Sequence, residues 1–200
     1  MIALAVLVSG SGRSLENLCE RIDAGTLPAR IALVLSNRAD AYALERAKRR
    51  GIPTVVVDAE KRLDPESFSQ AAFTAIEASG ARLVVLAGFL RLLPIPSAWE
   101  GRVLNIHPSL LPAFGGKGYY GDKVHNAVLQ RGVQYTGCTV HYVTNEYDAG
   151  PILLQKVVLV RPNDDVHTLA ARVFEAEQEA LPEAIQLHCA RRNASSGASG

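Results

Sequence analysis

Apolar runs of strand length alternate with amphipathic segments of helix length through the first half of the chain. Short, bounded apolar runs predict buried strands at Ile2–Val8, Arg30–Ser36, Pro53–Val57 and Leu83–Leu86. Apolar residues at helical spacing predict helices at Ser14–Ala24, Ala41–Arg50 and Pro65–Ser79, the last with Asp64 as its N-cap. This alternation indicates a parallel sheet with helices on both faces.

The pattern changes after Gly101. It predicts one more strand at Arg102–Ile106, a helix at Asp122–Arg131, and two β-rich runs at Thr136–Val143 and Pro151–Val160 that form a hairpin or a paired edge. A long amphipathic helix follows at Val166–Cys189, and Pro182 inside it leaves open a division into two pieces. The predicted fold is α/β: a Rossmann-like, open, twisted and mostly parallel sheet with an antiparallel C-terminal strand region and a long C-terminal helix.

Length and composition add limits to this picture. The chain has 200 residues and 48% hydrophobic residues, which is enough to bury a core, and we expect a single domain over residues 1–192. Residues 193–200 are of low complexity, and we expect a disordered tail there. The net charge of +1 gives no reason to expect a nucleic-acid or membrane partner.

Cellular location follows from similarly simple features. Three cysteines without ligand spacing argue against a disulfide framework or a structural zinc site. The first apolar run lacks a basic region before it and leads into a glycine loop, so we expect a core strand rather than a signal peptide. No apolar stretch approaches the ~20 residues that a membrane helix needs, and we expect a cytoplasmic protein.

A glycine loop with two glycines and three serines stands between the first predicted strand and helix: Ser9, Gly10, Ser11, Gly12, Arg13 and Ser14. Backbone amides at such a turn, together with the free N–H groups of a helix start, form a phosphate cradle. A dinucleotide fingerprint would need a third glycine where Leu15 stands, and no acidic residue ends the second strand. The loop therefore predicts a phosphate monoester site, with a tight turn that binds nothing as the alternative.

The strongest candidates for catalytic residues are Asn105 and His107. Within a strand, alternate residues point to the same face, so an amide donor and an imidazole lie side by side where open α/β sheets bind ligands. Such a pair suits a developing oxyanion, and Asp148 is a candidate carboxylate partner for the histidine. Each residue also has an ordinary structural explanation: a strand-end amide, a core histidine and a turn-forming aspartate.

Five ordered blocks resemble the folate-dependent glycinamide ribonucleotide formyltransferase family. They span residues 2 to about 187 and comprise the segments 8–12, 35–41, 86–93, 105–112 (NIHPSLLP) and 137–152 (GCTVHYV, then DAGPI). The resemblance implies transfer of the formyl group of 10-formyltetrahydrofolate to the amino group of glycinamide ribonucleotide, a step of de novo purine (IMP) biosynthesis and one-carbon metabolism. It implies direct attack through a tetrahedral intermediate, with no metal.

The resemblance also implies residue roles. Asn105 would donate to the formyl oxygen, His107 as imidazolium would stabilise the oxyanion, and Asp148 would keep His107 charged. The implied nucleotide site comprises Gly10, Ser11, Gly12, Arg13, Ser14, Pro108 and Glu177. The implied folate site comprises Phe89, Leu90, Arg91, Leu92, Leu93, Asn105, Val143 and Asp148. From pattern alone, Glu177 is a solvated helix residue, and Leu92 and Leu93 are ordinary core.

Several features depart from the family pattern. The segment 114–124 is longer than in the shortest members and is either a lid over the nucleotide or an ordinary surface loop. Ser14 stands where many members have Asn, and the basic residue that some members use near the folate glutamate tail has no clear equivalent around Pro65. His125 matches a family histidine for which we expect a scaffold role.

Other functions on the same core stay open at this point. Methionyl-tRNA formyltransferase normally carries a further C-terminal domain and a basic surface, and the deformylase an N-terminal regulatory domain; we expect neither from this sequence. Sugar-nucleotide formyltransferases generally match the glycine loop less well. A binding module without turnover would lose one of the three proposed catalytic residues, all of which are present. Expected partners are the two small-molecule substrates, and the protein is expected to be a monomer or a homodimer.

Overall fold

The computed structural model describes residues 1–57 and 63–197. Contacts between residues divide the chain into two compact units. The first unit comprises Met1–Asn105 with Val143–Asn145, and the second comprises Ile106–Tyr142 with Glu146–Gly200. The strand at Val103–His107 contributes its first three residues to the first unit and its last two to the second. The single domain over residues 1–192 stays a prediction.

Parallel strands form the sheet of the first unit. They are β1 (Ile2–Val8), β2 (Ala29–Ser36), β3 (Thr54–Val56), β4 (Leu83–Leu86) and β5 (Val103–His107). Their order is β3-β2-β1-β4-β5, and every neighbouring pair is parallel. The helices are α1 (Arg13–Asp23), α2 (Tyr42–Arg49) and α3 (Pro65–Ala78). A short 3₁₀ turn at Ser97–Trp99 precedes β5.

Central strands and one helix build the core of this unit. All four residues of β4 are buried, as expected for a parallel strand covered on both faces. The largest buried side chains of α3 are Phe68, Phe73 and Ile76, and Trp99 packs against Phe73 with ring centroids 5.4 Å apart. The predicted N-cap of α3 is confirmed, since the Ser67 amide donates to the Asp64 carboxylate over 2.8 Å.

An antiparallel pair and two helices build the second unit. They are α4 (Asp122–Arg131), β6 (Tyr135–Tyr142), β7 (Ile152–Leu159) and α5 (Val166–Gly197), and β6 pairs antiparallel with β7. Helix α5 packs against both strands and against α4. The mostly parallel α/β fold with an antiparallel C-terminal pair and a long C-terminal helix, predicted from the sequence, is confirmed.

Helix α5 answers a question that the sequence left open. It is a single helix with Pro182 inside it, not two pieces. A proline removes one helical hydrogen bond and costs roughly 3 kcal/mol in a helix interior. Burial of the surrounding apolar side chains offsets this cost, because Leu181 and Ile185 are almost fully buried. The helix continues to Gly197, and residues 198–200 lie outside the described residues, so a disordered tail over 193–200 stays a prediction.

All three cysteines are free thiols. Burial raises the pKa of Cys19 to about 11 and that of Cys138 to about 12, so both remain protonated and unreactive near neutral pH. Within the described ranges, no helix is both long enough and apolar enough to cross a bilayer.

Candidate active site

His107 lies at the end of β5 and is buried. Its Nε2 atom is 2.8 Å from the carbonyl oxygen of Phe114, and its Nδ1 atom is 3.4 Å from Oδ2 of Asp148. A carbonyl oxygen can only accept, so Nε2 carries a proton. The structure therefore brings together His107 and Asp148, the pair that the sequence predicted.

Opposing effects set the protonation of this pair. Burial lowers the pKa of His107 below its ordinary value, while the charge of Asp148 and the Phe114 carbonyl act in the other direction. For Asp148, burial acts to raise the pKa, but His141, His107 and the Gly116 amide together hold it below its ordinary value. The carboxylate is therefore ionised near neutral pH, next to an imidazole that burial tends to keep neutral.

The backbone around this pair adopts conformations that residues other than glycine rarely adopt. Phe114 and Asp148 have φ angles of 54° and 53°, in the left-handed region. The Gly116 amide donates to Oδ2 of Asp148 over 2.9 Å. A Cβ atom at Gly115 would lie 2.4 Å from the Leu111 side chain and 3.3 Å from Cβ of Asp148. The segment after His107 thus closes tightly on Asp148, and this strain is typical of functional sites.

A second histidine, His141 in β6, was not among the predicted site residues. Its Nε2 atom lies 3.6 Å from Oδ1 of Asp148, and its Nδ1 atom is 2.9 Å from the carbonyl oxygen of Tyr142. Asp148 is consequently flanked by two imidazoles, one at each carboxylate oxygen. The sequence held a signal for this residue, because Thr139 and His141 alternate onto one face of a predicted strand.

Hydrogen bonds from β6 and β7 fix the segment that follows His107. Thr139 donates its hydroxyl to the carbonyl of Ser109 and accepts from the amide of Leu111, over 2.7 and 3.0 Å. The side-chain amide of Gln155 donates to the carbonyl of Leu111 over 3.0 Å. These hydrogen bonds hold the chain between His107 and Phe114 in place. They thereby also position the Phe114 carbonyl oxygen, which faces Nε2 of His107.

The predicted phosphate loop belongs to the first unit and connects β1 to α1. Gly12 is the N-cap of α1 with φ 75°, and Gly10, Ser11 and Arg13 are exposed. At its start, Ser9 donates its hydroxyl to the side chain of Asn37 over 2.6 Å and accepts from the amide of Leu90 over 3.0 Å. Ser9 therefore links the loop to the predicted folate segment, a role that the sequence did not indicate.

The predicted folate segment follows β4. Phe89 and Leu93 are buried, whereas Leu90 is 61% exposed, which leaves its side chain available for contact with a ligand. The guanidinium of Arg91 lies 4.2 Å from the centroid of the Phe68 ring and donates to the carbonyl of Leu63 over 2.6 Å. Arg91 is thus held by protein groups, and the exposed part of this segment is backbone and aliphatic.

The remaining predicted residues have varied surroundings. Asn105, Leu92 and Val143 are half-buried in the first unit, where Val143 packs on the apolar core and Asn145 accepts from the Ile95 amide over 2.7 Å. Pro108 and Glu177 are half-buried in the second unit, and the charge of Glu177 helps to raise the pKa of Cys138. The half-buried Ser14 lies in the first turn of α1. No cluster of three or more potential metal ligands occurs in ranges 1–57 and 63–197.

A sequence profile of the formyl transferase family matches residues 2–185, which include the glycine loop, His107 and Asp148. The chain belongs to the formyl transferase family. The family resemblance deduced from the five sequence blocks is confirmed by this match.

Individual relatives give more detail. The chain is 45% identical over 188 residues to the trifunctional purine biosynthetic protein adenosine-3 of Gallus gallus, covering 93% of this chain and 18% of that protein. It is 41% identical over 192 residues to the chloroplastic phosphoribosylglycinamide formyltransferase of Arabidopsis thaliana, covering 94% of this chain and 66% of that protein. The chain therefore spans about a fifth to two thirds of the length of these curated relatives.

Solved structures agree with the family assignment. Glycinamide ribonucleotide transformylase 1 from Symbiobacterium toebii is 43% identical, with a TM-score of 0.86 over 92% of this chain and 86% of that one. Phosphoribosylglycinamide formyltransferase from Bacillus halodurans is 33% identical, with a TM-score of 0.83 and 93% coverage of both chains.

Proposed function

We propose that this protein transfers the formyl group of 10-formyltetrahydrofolate to the amino group of glycinamide ribonucleotide. The products are formylglycinamide ribonucleotide and tetrahydrofolate, in de novo purine biosynthesis. Support comes from the membership of the formyl transferase family and from relatives and solved structures whose names specify phosphoribosylglycinamide as the substrate.

One observation supports the chemistry most directly: both ring nitrogens of His107 face oxygen acceptors. These are the Phe114 carbonyl at 2.8 Å and the Asp148 carboxylate at 3.4 Å. A neutral imidazole can donate to only one of them, whereas an imidazolium can donate to both. The surroundings therefore stabilise the cation once it forms, and a fixed cation stabilises an oxyanion that develops next to it.

The proposed roles follow from these properties. Asn105 precedes His107 by two residues in β5, so strand alternation directs both side chains to the same side of the strand. Asn105 donates to the formyl oxygen while the substrate amine attacks the formyl carbon, and His107 stabilises the oxyanion of the tetrahedral intermediate. Asp148 stabilises the imidazolium form of His107 and accepts the amine proton through water. No covalent bond to the protein forms.

Substrate binding is assigned to the remaining residues. The loop amides and hydroxyls at 10–14 bind the nucleotide phosphate, Pro108 contacts the nucleotide, and Glu177 accepts from the ribose hydroxyls. The segment 89–93 and Val143 bind the pterin through backbone groups and aliphatic side chains. No metal takes part in this mechanism. We further propose a cytoplasmic monomer or homodimer.

Release of tetrahydrofolate, followed by absorbance, tests this function. The purified protein is mixed with 10-formyltetrahydrofolate with and without glycinamide ribonucleotide, beside an Asp148→Asn variant. We expect release that requires the nucleotide and that collapses in the variant. Equal release without the nucleotide would mean that water is the acceptor and that the protein is a deformylase. Binding of both ligands without any release would indicate a binding module and overturn the mechanism.

A further inference from the structure

Helix α2 makes two hydrogen bonds to the glycine loop, both to loop carbonyl oxygens. The backbone amide of Ala43 donates to the carbonyl of Gly10 over 3.1 Å. The Nε atom of Arg46 donates to the carbonyl of Ser11 over 2.9 Å. Two consecutive peptide groups of the loop are therefore oriented by a neighbouring helix rather than by the loop itself.

These two bonds decide where the loop amides point. In a planar trans peptide, the C=O and the following N–H point in opposite directions. Bonds to the carbonyls of Gly10 and Ser11 consequently direct the amides of Ser11 and Gly12 away from α2. Within residues 1–57 and 63–197, neither amide donates to another protein group. Two adjacent N–H groups pointing in one direction form a concave anion site.

Arg46 is itself fixed by an acidic residue of α1. Its Nη1 atom lies 3.0 Å from Oε2 of Glu16, whose other oxygen pairs with Arg50. The hydrogen bonds and charges of Arg50 and Arg46 outweigh burial and hold the pKa of Glu16 below its ordinary value. Because its charge is matched by Glu16, Arg46 serves as a rigid donor to the loop rather than as a free cation for a ligand.

Close packing leaves the loop little freedom to adopt another conformation. A Cβ atom at Gly12 would lie 2.6 Å from Cβ of Ala43 and 3.4 Å from Cδ of Arg46. Gly12 also has a left-handed φ angle and accepts from the Glu16 amide over 3.0 Å. Helices α1 and α2 thus hold the loop between them, with Arg46 as the side chain that bonds to both the loop and α1.

We propose that Arg46 is a positioning residue for the phosphate of the nucleotide substrate. It orients the Gly12 amide through the Ser11 carbonyl and does not contact the phosphate itself. This inference rests on the proposed function of the loop as a phosphate site. Loss of Arg46 therefore weakens binding of the phosphorylated substrate and leaves the chemistry of formyl transfer unchanged.

Steady-state kinetics of Arg46→Gln with two acceptors test the proposal. For glycinamide ribonucleotide we expect KM to rise roughly tenfold, which corresponds to the loss of one charge-assisted hydrogen bond. We expect kcat to stay nearly unchanged. For glycinamide riboside, which lacks the phosphate, we expect kcat/KM to equal that of the wild type. Arg46→Lys keeps the charge but cannot bond Ser11 and Glu16 as a planar fork, so its KM should be intermediate.

Arg49→Gln is the matched control, because Arg49 is an exposed arginine of the same helix whose described contacts are with Tyr42. It should keep wild-type constants for both acceptors. The proposal fails if Arg46→Gln keeps the wild-type KM for the ribonucleotide. It also fails if both acceptors are impaired equally, which would indicate a general structural role.

Calorimetric binding of ribose 5-phosphate separates this inference from the proposed function. If the wild-type protein does not formylate glycinamide ribonucleotide, the function is wrong, yet ribose 5-phosphate binding still reports on the loop. Weaker binding by Arg46→Gln than by Arg49→Gln supports the positioning role, and equal binding overturns it. Should Arg46→Gln not fold, the same comparison is made with Arg46→Lys.

Discussion

The two units present their proposed functional groups by opposite means. In the first unit the glycine loop offers backbone amides, and its surroundings are half-exposed ion pairs between Glu16, Arg46 and Arg50. In the second unit the proposed chemistry belongs to two side chains, His107 and Asp148. Burial lowers the pKa of His107, whereas burial acts to raise the pKa of Asp148 and is outweighed by His141, His107 and the Gly116 amide, which lower it. The first arrangement fixes the directions of backbone N–H donors, and the second shifts the pKa values of two side chains.

This difference has a physical reason. A phosphate is already charged in water, so a site for it needs only oriented donors and can remain open to solvent. An oxyanion exists only during the reaction, and a donor stabilises it strongly only where water is excluded and the donor is already in place. Substitutions at His107 and Asp148 should therefore mainly change kcat, and those in the glycine loop should mainly change stability or KM.

The largest effect is expected for Asp148→Asn. The variant removes the negative charge that stabilises the imidazolium, and we expect kcat to fall by roughly 10³-fold or more with little change in either KM. Single-turnover kinetics measure this step directly. Glu146→Gln is the matched control, since Glu146 is an exposed carboxylate in the same turn. A fall of less than about tenfold for Asp148→Asn would show that this carboxylate is not part of the chemistry.

Asn105→Ala should have the next largest effect. Loss of one donor to the developing oxyanion is expected to lower kcat about 10²-fold and to leave the pH dependence of kcat in place. Asp148→Asn, in contrast, should change that pH dependence, because it alters the ionisation of His107. A pH profile of both variants distinguishes the two roles. A shifted profile for Asn105→Ala would contradict the assignment of Asn105 as a neutral donor.

Gly12→Ala should chiefly destabilise the fold. Residue 12 has φ +75°, and its new Cβ would lie 2.6 Å from Cβ of Ala43. We expect the free energy of unfolding to fall by about 2–4 kcal/mol, from backbone strain and overpacking together. Urea unfolding measures the change. Gly10→Ala, where nothing lies within 4 Å of the added atom, should cost less than about 1 kcal/mol. Equal losses at both positions would argue against the close packing of α2 on the loop.

The smallest effect concerns pH and stability. Burial lowers the pKa values of His107 and His125 below the ~6.5 of an unfolded chain. At a pH between the folded-state and the unfolded-state pKa of each histidine, the unfolded state binds more protons than the folded state. The free energy of unfolding therefore decreases as the pH falls. We expect a loss of up to about 1.4 kcal/mol per pH unit for each histidine as the pH falls from about 6.5 to the pKa of that histidine in the folded state.

Urea unfolding across this pH range measures the slope, and His125→Gln provides the comparison because it removes one of the two groups. Its slope should be shallower than that of the wild type. Asp148 adds to the same trend only in more acidic solution, because its pKa lies below its ordinary value and the carboxylate stays ionised until then. Stability that increases on acidification from neutral pH would contradict the direction of these shifts.

Local sequence signals accounted for most of the secondary structure. Apolar periodicity located the bounds of β1–β7 and α1–α4 to within one residue, and Asp64 before Pro65 marked the start of α3 correctly. Helix α5 was located correctly at its start but ends at Gly197 rather than at Cys189. Pro182 shows where local signals leave a question open. The rule that proline ends a helix describes local strain, whereas burial of the neighbouring apolar side chains is a property of the tertiary structure and outweighs that strain.

The sequence by itself determined the α/β pattern, the family, and the chemical types of the proposed site residues, because each depends on residue identity and short-range spacing. Only the tertiary structure decided that His141 accompanies His107 beside Asp148, that Gly115 lies against Leu111 and Asp148, and that Arg46 donates to the glycine loop. These contacts join residues between 4 and 41 positions apart in the chain. Spacing along the sequence carries no distance information across such separations, so only the packed fold specifies which groups meet.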